Sequence, residues 1–452
     1  MNTAEKIGAI IVAEAVAEIL PVSRPFHATV VVPGSKSITN RALPIAALAT
    51  GSTQLSGVLF ADDTWRMLEC LQSLGVGLEI NEARRQVFVQ GTGGDLPVDQ
   101  SNLFCGNSGT TIRFLAALCA ASRGKHTLDG IERMRQRPIQ ELAAAIESLG
   151  GKITFMDKPG YPPLETMGGG LAGGVCHFAN TKSSQYISAV LMAAPLALRD
   201  VQIVLEGPVT SEPYVQMTLA MMEQFGIRVG LAPADPKNLE AGRVLTVPAG
   251  QHSVGRAYTI EPDASNASYF LAAAALIPGS TVIIPGLGRN SLQGDVLFAD
   301  VLSQMGARLF LDADEIRLTG TTQLRGLNIN MNSIPDMVQT LSVLALFARG
   351  PTHISNIGNL RIKETDRLAA LENELTRLGA RVRTTADSIT IEPPEKITPA
   401  TIETYDDHRM AMAFAVAGLR ADGIRIAKPE CCGKTYPEFF ADFHAATHGP
   451  AS

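Results

Sequence analysis

Short segments of this 452-residue chain gather the residue types that bind anions and move protons. VPGSKSITNRA (Val32–Ala42) sets Lys36 between the hydroxyls of Ser35 and Ser37, after a Pro33-Gly34 turn. Arg41 follows Ser37 by four residues and so shares its helical face. In CGNSGTTIRF (Cys105–Phe114), Gly106 and Gly109 allow close approach to the backbone, and Asn107 and Thr110 offer hydrogen bonds. Arg113 there either reaches an anion or pairs at the surface. TKSSQ (Thr181–Gln185) joins Lys182, Ser183, Ser184 and Gln185, a composition that suits a monophosphate or a plain helix cap. Arg133, Arg135 and Arg137 precede Pro138, and Ser211 precedes Pro213. NLRIKETDR contains Arg361, Lys363, Glu364 and Arg367, with Lys363 and Arg367 on one face; Lys434 takes the corresponding place near the C-terminus. Asp263, Asp336 and the pair Asp406-Asp407 stand where the first half of the chain has Ser or Thr. Each is a good N-cap, yet an Asp beside several cations stays ionised and can serve as a base. Asp336 and Glu364 have the strongest claim to that work. GxGxxG at Gly168–Gly173 is a decoy, because no apolar helix follows it and no clear strand precedes it.

The elements that carry these segments repeat. An amphipathic helix ending in an apolar residue and Gly recurs at Gly75, Gly150, Gly226, Gly306 and Gly379, at intervals of 75, 76, 80 and 73 residues. A sixth such helix is expected over Phe439–Gly449. Earlier, Ala-rich helices begin near Ser37, Thr110, Ser184, Ser265, Asp336 and His408, each followed by a β-branched strand such as Thr281–Ile284 or Thr352–Ile354. Each unit therefore reads as strand, helix, strand, helix, then one or two strands. This alternation predicts an α/β fold with mostly buried, parallel strands. The Pro/Gly-rich stretch Ala232–Gly255 is the expected break between halves of three units each, and strand Thr29–Val32 is expected to complete the sixth unit. The charged starts of the early helices then lie at one structural level, where free N–H groups and a partial positive charge favour phosphate and carboxylate.

Composition limits the alternatives. Lys and Arg number 38 against 44 Asp and Glu, for a net charge of −6, which argues against a general binder of nucleic acid or anionic membranes. No segment reaches the ~20 uninterrupted apolar residues of a membrane span. The apolar run Ile7–Val16 is broken by Glu14 and lacks a cleavage signal, so it reads as an amphipathic extension. Six cysteines without a CxxC pair suit buried free thiols in a reducing cytosol, and the eight scattered histidines give no reason to expect a metal.

VPGSKSITNRA, GNSGTTIR, RPI (Arg137–Ile139), SSQ (Ser183–Gln185), NLRIKETDR and DHRMAM together resemble the 5-enolpyruvylshikimate-3-phosphate synthase family, in family order from about Ala28 to Phe440. The resemblance implies a two-domain sixfold repeat of βαβαββ units, an inside-out α/β barrel of the enolpyruvyl transferase kind. Residues 1–24 form an N-terminal extension; 25–34 plus 256–452 form one domain, 35–255 the other, with the active site in the cleft. The implied reaction moves the enolpyruvyl group of phosphoenolpyruvate to the 5-hydroxyl of shikimate 3-phosphate, on the route to chorismate and the aromatic amino acids. The implied partners are these two small molecules, with no metal, cofactor, nucleic acid or membrane; a cytoplasmic monomer and glyphosate target is expected.

By the same resemblance, Lys36, Ser37, Arg41, Ser183, Ser184, Gln185, Ser211, Asp336, Asn359 and Lys363 contact shikimate 3-phosphate. Lys36, Asn107, Gly109, Arg137, Gln185, Arg367, Arg409 and Lys434 hold phosphoenolpyruvate, and His408 supports that pocket. Asp336, Glu364, Lys36 and His408 form the expected catalytic set. Phe114 follows Arg113 where many members carry Pro or Leu, which puts the degree of glyphosate sensitivity in question. The nearest rival is UDP-N-acetylglucosamine enolpyruvyl transferase, which often uses a loop Cys; the corresponding Gly130–Pro138 has arginines and no Cys. A non-catalytic phosphometabolite-binding protein would need a missing acid or base, yet Asp336, Glu364 and Lys36 are all present.

Overall fold

The five glycine stops close their helices in one way. A computed structural model describes residues 12–13, 16–235 and 238–449 of the chain. In it Gly75, Gly150, Gly226, Gly306 and Gly379 all have positive φ, from 86° to 113°. The N–H of Gly75 donates to Gln72 O and that of Val76 to Leu71 O, and the other four ends repeat this pair of bonds. This Schellman closure satisfies carbonyls that the helix leaves unpaired, and its left-handed residue favours glycine. The sixth late helix, Phe439–His448, also ends at a left-handed glycine, Gly449.

The Ala-rich helices are the cores. They run over Lys36–Ala47, Gly109–Ala121, Ser184–Ala193, Ala264–Leu276, Val338–Ala345 and His408–Gly418. Every residue of Gly109–Ala121, Ala264–Leu276, Val338–Ala345 and His408–Gly418 is buried. A helix that is apolar all round has no solvent face, and small Ala side chains let neighbours approach closely. The late helices, such as Asp62–Ser73 and Arg367–Arg377, bury only one face.

The chain divides into two compact units, one from Gly34 to Glu261 and the other joining the chain up to Pro33 with that from Pro262 onward. Each contains three four-stranded sheets. In the sheet of Gln100–Phe104, Lys125–Asp129, Leu164–Met167 and Lys152–Phe155, the first pair is parallel and the others antiparallel. The parallel pair is joined through the buried helix Gly109–Ala121, the antiparallel strands by a hairpin. The sheets are thus mixed, contrary to the parallel expectation. Strands such as Ser52–Ser56 alternate buried and accessible residues because only one sheet face packs on helices.

Three connections differ from expectation. Ala232–Gly255 is largely the hairpin Gly230–Asp235 and Asn238–Val247 of the third sheet. The chain leaves this unit at 261/262 rather than at 255/256, because Ala257–Thr259 pairs in parallel with Ser52–Ser56 and supplies the first sheet's missing strand. His27–Thr29 pairs with Thr281–Pro285 of the fourth sheet, not with the sixth. The sixth sheet, Ala400–Ile402 with Ile424–Ala427, is completed by the hairpin strands Val16–Ile19 and Val12–Ala13. Residues 12–13 and 16–19 are therefore part of a sheet and not an extension. Among the described residues, no helix is long and apolar enough to cross a membrane.

Candidate active site

In the unit Gly34–Glu261, Ser35 rather than Ser37 caps the first buried helix, accepting from the N–H of Ile38. Lys36 opens the helix, its ammonium 3.4 Å from the Asp63 carboxylate. The backbone carbonyl of Asp63 receives Asn40 Nδ2 at 3.3 Å, and Asn40 also donates to Thr110 Oγ1 at 2.7 Å. These bonds tie the first two helix starts together. Further along, Arg41 is almost fully buried. Its Nε donates to Thr218 Oγ1 (2.8 Å), Nη1 to Ser37 O (2.9 Å), and Nη2 to Ser188 Oγ and Tyr214 O (both 3.3 Å). The Phe114 ring lies 5.2 Å from its guanidinium carbon, so Phe114 packs in the core beneath a cation. None of those acceptors is a carboxylate, and burial pulls the Arg41 pKa down to about 10 against a small opposing effect of Tyr214. A buried cation with neutral partners suits an anionic ligand.

The second helix start depends on a missing side chain. A Cβ on Gly109 would stand 2.6 Å from Arg137 Nη2 and 3.1 Å from Arg113 Nη1, so glycine lets both guanidinia lie over the helix start. Arg137 is buried; its Nη1 donates to Asn107 O (3.0 Å) and Oδ1 (3.2 Å), while its Nε has no partner among the described residues. Arg135 instead pairs with Asp129 at 2.6 Å in an exposed position, and Arg133 donates to Gln136. Of that arginine trio, only Arg137 is buried. Arg113 is buried, neither at the surface nor aimed outward. Its Nη1 donates to Gln185 Oε1 at 2.6 Å and its Nη2 to Pro138 O at 3.2 Å. Because Gln185 uses its oxygen on Arg113, its amide N–H groups are left as donors. Ser183 caps the third helix by accepting from Gln185 N, and Ser184 is buried at its first turn, whereas Lys182 points to solvent. Ser211 is held in left-handed backbone (φ 57°) before Pro213.

In the other unit the charges pair with one another. Asp336 lies in the short turn Pro335–Met337 before Val338–Ala345. Its Oδ1 is 3.1 Å from Arg367 Nη1 and 3.6 Å from Lys363 Nζ, and its Oδ2 is 2.9 Å from Arg409 Nη2. Burial alone would raise the Asp336 pKa, but Arg409, Lys363 and Arg367 overcome it and hold the carboxyl well below the usual range. Arg367 is fully buried. Its Nη2 is 2.9 Å from Glu364 Oε2 and its Nε 2.7 Å from Asp407 Oδ2, and these anions outweigh burial to keep it charged. Asp407 also caps the helix His408–Gly418. Asp263 is a cap, as its type suggested, Asp406 is exposed, and Arg361 pairs with Asp366 at 2.9 Å. His408 and Arg409 open the sixth buried helix; Asn359 and Lys434 are buried in short 3-10 segments.

The pairs that sequence reasoning missed are Asp63 with Lys36, Arg113 with Gln185, and Asp407 with Arg367. Only the third had a signal, an Asp directly before His408-Arg409. Chemically, the arrangement offers one set of buried cations with neutral partners and one ionised carboxylate ringed by cations. Among the described residues, no group of three or more His, Cys, Asp or Glu side chains is placed to hold a metal ion.

Residues 22–443 match the family described as EPSP synthase (3-phosphoshikimate 1-carboxyvinyltransferase). The 3-phosphoshikimate 1-carboxyvinyltransferase of Trichormus variabilis is 44% identical over 93% of this chain and 96% of its own. That of Laribacter hongkongensis is 47% identical over 92% and 96%. The crystal structure of an EPSP synthase from Acinetobacter baumannii superposes with a TM-score of 0.78 at 27% identity, over 96% of this chain and 98% of that one.

Proposed function

The chain belongs to the EPSP synthase family, and from that premise we propose how its side chains perform the family's reaction. The enzyme transfers the enolpyruvyl group of phosphoenolpyruvate to the 5-hydroxyl of shikimate 3-phosphate and releases phosphate, a step of the shikimate pathway. The observation that carries the reading of the site is Asp336, an ionised carboxylate bracketed by Arg367, Arg409 and Lys363. So bracketed, it is a weak base. Anionic substrates that engage those cations weaken their hold and raise its basicity.

Asp336 then accepts the 5-hydroxyl proton as the oxygen bonds to C2 of the enolpyruvate. Glu364, which takes up a proton once phosphoenolpyruvate draws Arg367 from it, delivers that proton with the help of Lys36 to the methylene carbon, giving a tetrahedral ketal. The Glu364 carboxylate takes a proton back from that methyl carbon as the C2–O bond to phosphate breaks, which restores the double bond, and the phosphate leaves with the proton held by Asp336. Shikimate 3-phosphate engages Lys36, Ser37, Arg41, Ser183, Ser184, Gln185, Ser211, Asp336, Asn359 and Lys363. Phosphoenolpyruvate engages Lys36, Asn107, Gly109, Arg137, Gln185, Arg367, Arg409 and Lys434, with His408 in support. Arg137 and Arg367 are already held by buried hydrogen bonds and the Asp407 ion pair, so little reorganisation of these two is needed as charge develops.

Phosphate release from phosphoenolpyruvate, measured with and without shikimate 3-phosphate, tests the reading. Release that requires shikimate 3-phosphate is expected; release that requires UDP-N-acetylglucosamine instead would overturn it. We also place the enzyme in the cytoplasm as a monomer. The six free cysteines support a reducing compartment, and light scattering at a mass of 48.0 kDa is the check on the monomer.

A further inference from the structure

We propose that Asp295 and Ser265 are positioning residues that aim Arg409, an inference that rests on reading Arg409 as a phosphoenolpyruvate ligand. Ser265 is the second residue of the buried helix Ala264–Leu276, and its hydroxyl donates to Asp295 Oδ2. With its proton committed to that carboxylate, Ser265 Oγ faces Arg409 only as an acceptor. Arg409 Nη2 donates to it at 3.2 Å and, on its other side, to Asp336 Oδ2 at 2.9 Å. Asp295 is itself held in place. It lies in the turn Gly294–Leu297, and the neighbouring Gln293 accepts from Ala264 N at 3.0 Å and donates to Pro262 O at 2.7 Å. The turn is thus clamped to the start of the helix that carries Ser265, and both side chains are buried.

The two guanidinia beside Asp336 are anchored differently. Arg367 meets both oxygens of Asp407 directly, at 2.7 and 3.2 Å. Arg409 meets the hydroxyl of Ser265, which is itself bonded to the buried Asp295 carboxylate. A direct carboxylate contact is the stronger of the two, so Asp407 holds Arg367 more firmly than Ser265 holds Arg409. Arg409 can exchange Asp336 for a substrate carboxylate while Ser265 keeps it oriented. Without the hydroxyl, Arg409 Nη2 loses the bond that opposes Asp336, and the guanidinium closes onto that carboxylate.

The test is steady-state kinetics of Ser265→Ala, Asp295→Asn and their double variant, with thermal unfolding measured alongside. Ser265→Ala should raise KM for phosphoenolpyruvate about tenfold, with kcat and KM for shikimate 3-phosphate within about twofold of the parent, the loss of one charged hydrogen bond. Asp295→Asn should act in the same direction. The double variant should be no worse than Ser265→Ala, because the two act in series, and Ser265→Thr should restore KM. A folded Ser265→Ala with an unchanged KM for phosphoenolpyruvate, or with lowered melting temperature alone, overturns the proposal. Failure of the parent enzyme to form product from the two substrates would instead sink the reading on which it rests.

Discussion

Four neutral acceptors surround the Arg41 guanidinium, while three cations surround the Asp336 carboxylate. The two substitutions should therefore divide activity from stability in opposite ways. Arg41→Met removes a buried charge that no carboxylate balances, so the melting temperature should hold or rise while KM for shikimate 3-phosphate increases at least tenfold. Asp336→Asn leaves Arg367, Arg409 and Lys363 facing a neutral amide. It should cost about a hundredfold or more in kcat, the scale of a lost general base, and should lower the urea midpoint of unfolding. The pH dependence follows from the depressed pKa of Asp336. Its ion pairs contribute stability above the unfolded-state value of about 3.9, and that contribution is lost only as pH falls through the lower folded value. The difference between parent and Asp336→Asn should hold steady from about pH 5 to 8 and shrink below about pH 4. A difference that vanished near neutrality would contradict this. The charged residue types at helix starts were legible in the sequence, but their pairing was not. Arg361 and Arg367 look alike in NLRIKETDR, yet one pairs with Asp366 at the edge and the other is buried against Asp407.

The helix ends and helix starts were the most legible elements, because each is set by local chemistry. Leu74-Gly75 announces a Schellman closure through two adjacent residues, and Ser183 a cap through one. Strand partners were not legible, since strands of three to five residues such as His27–Thr29 carry too little pattern to choose among six similar sheets. The glycine stops allow a direct test. A Cβ on Gly226 would meet only Val254 Cγ2, at 3.8 Å, so Gly226→Ala should cost the left-handed backbone penalty alone, about 1–2 kcal/mol. A Cβ on Gly75 would come within 2.9 Å of Pro97 and 3.0 Å of Val98, so Gly75→Ala should cost more. Denaturant unfolding of the two variants should preserve that order; equal losses would mean that the crowding at Gly75 relaxes freely.

At the scale of the whole molecule, chain order and sheet order disagree in three places: Ala257–Thr259 closes the first sheet, His27–Thr29 opens the fourth, and the N-terminal hairpin finishes the sixth. Ile19, nearly fully buried, is the anchor of that hairpin, and a Cβ on Gly418 would overlap it at 2.4 Å. Ile19→Ala should cost about 2–4 kcal/mol, within the range for large-to-small changes in a core, and deleting the residues before Val22 should leave strand Ile424–Ala427 with an open edge and promote aggregation. Thermal unfolding and light scattering would check both. The same topology sets a schedule for synthesis. Val16–Ile19 leaves the ribosome well before its partner Ile424–Ala427, which lies roughly 400 residues later, about 20–80 s at ordinary elongation rates. A strand with an apolar face must therefore wait, unpaired, while those residues are made, and the sixth sheet closes around a piece synthesised long before its partner.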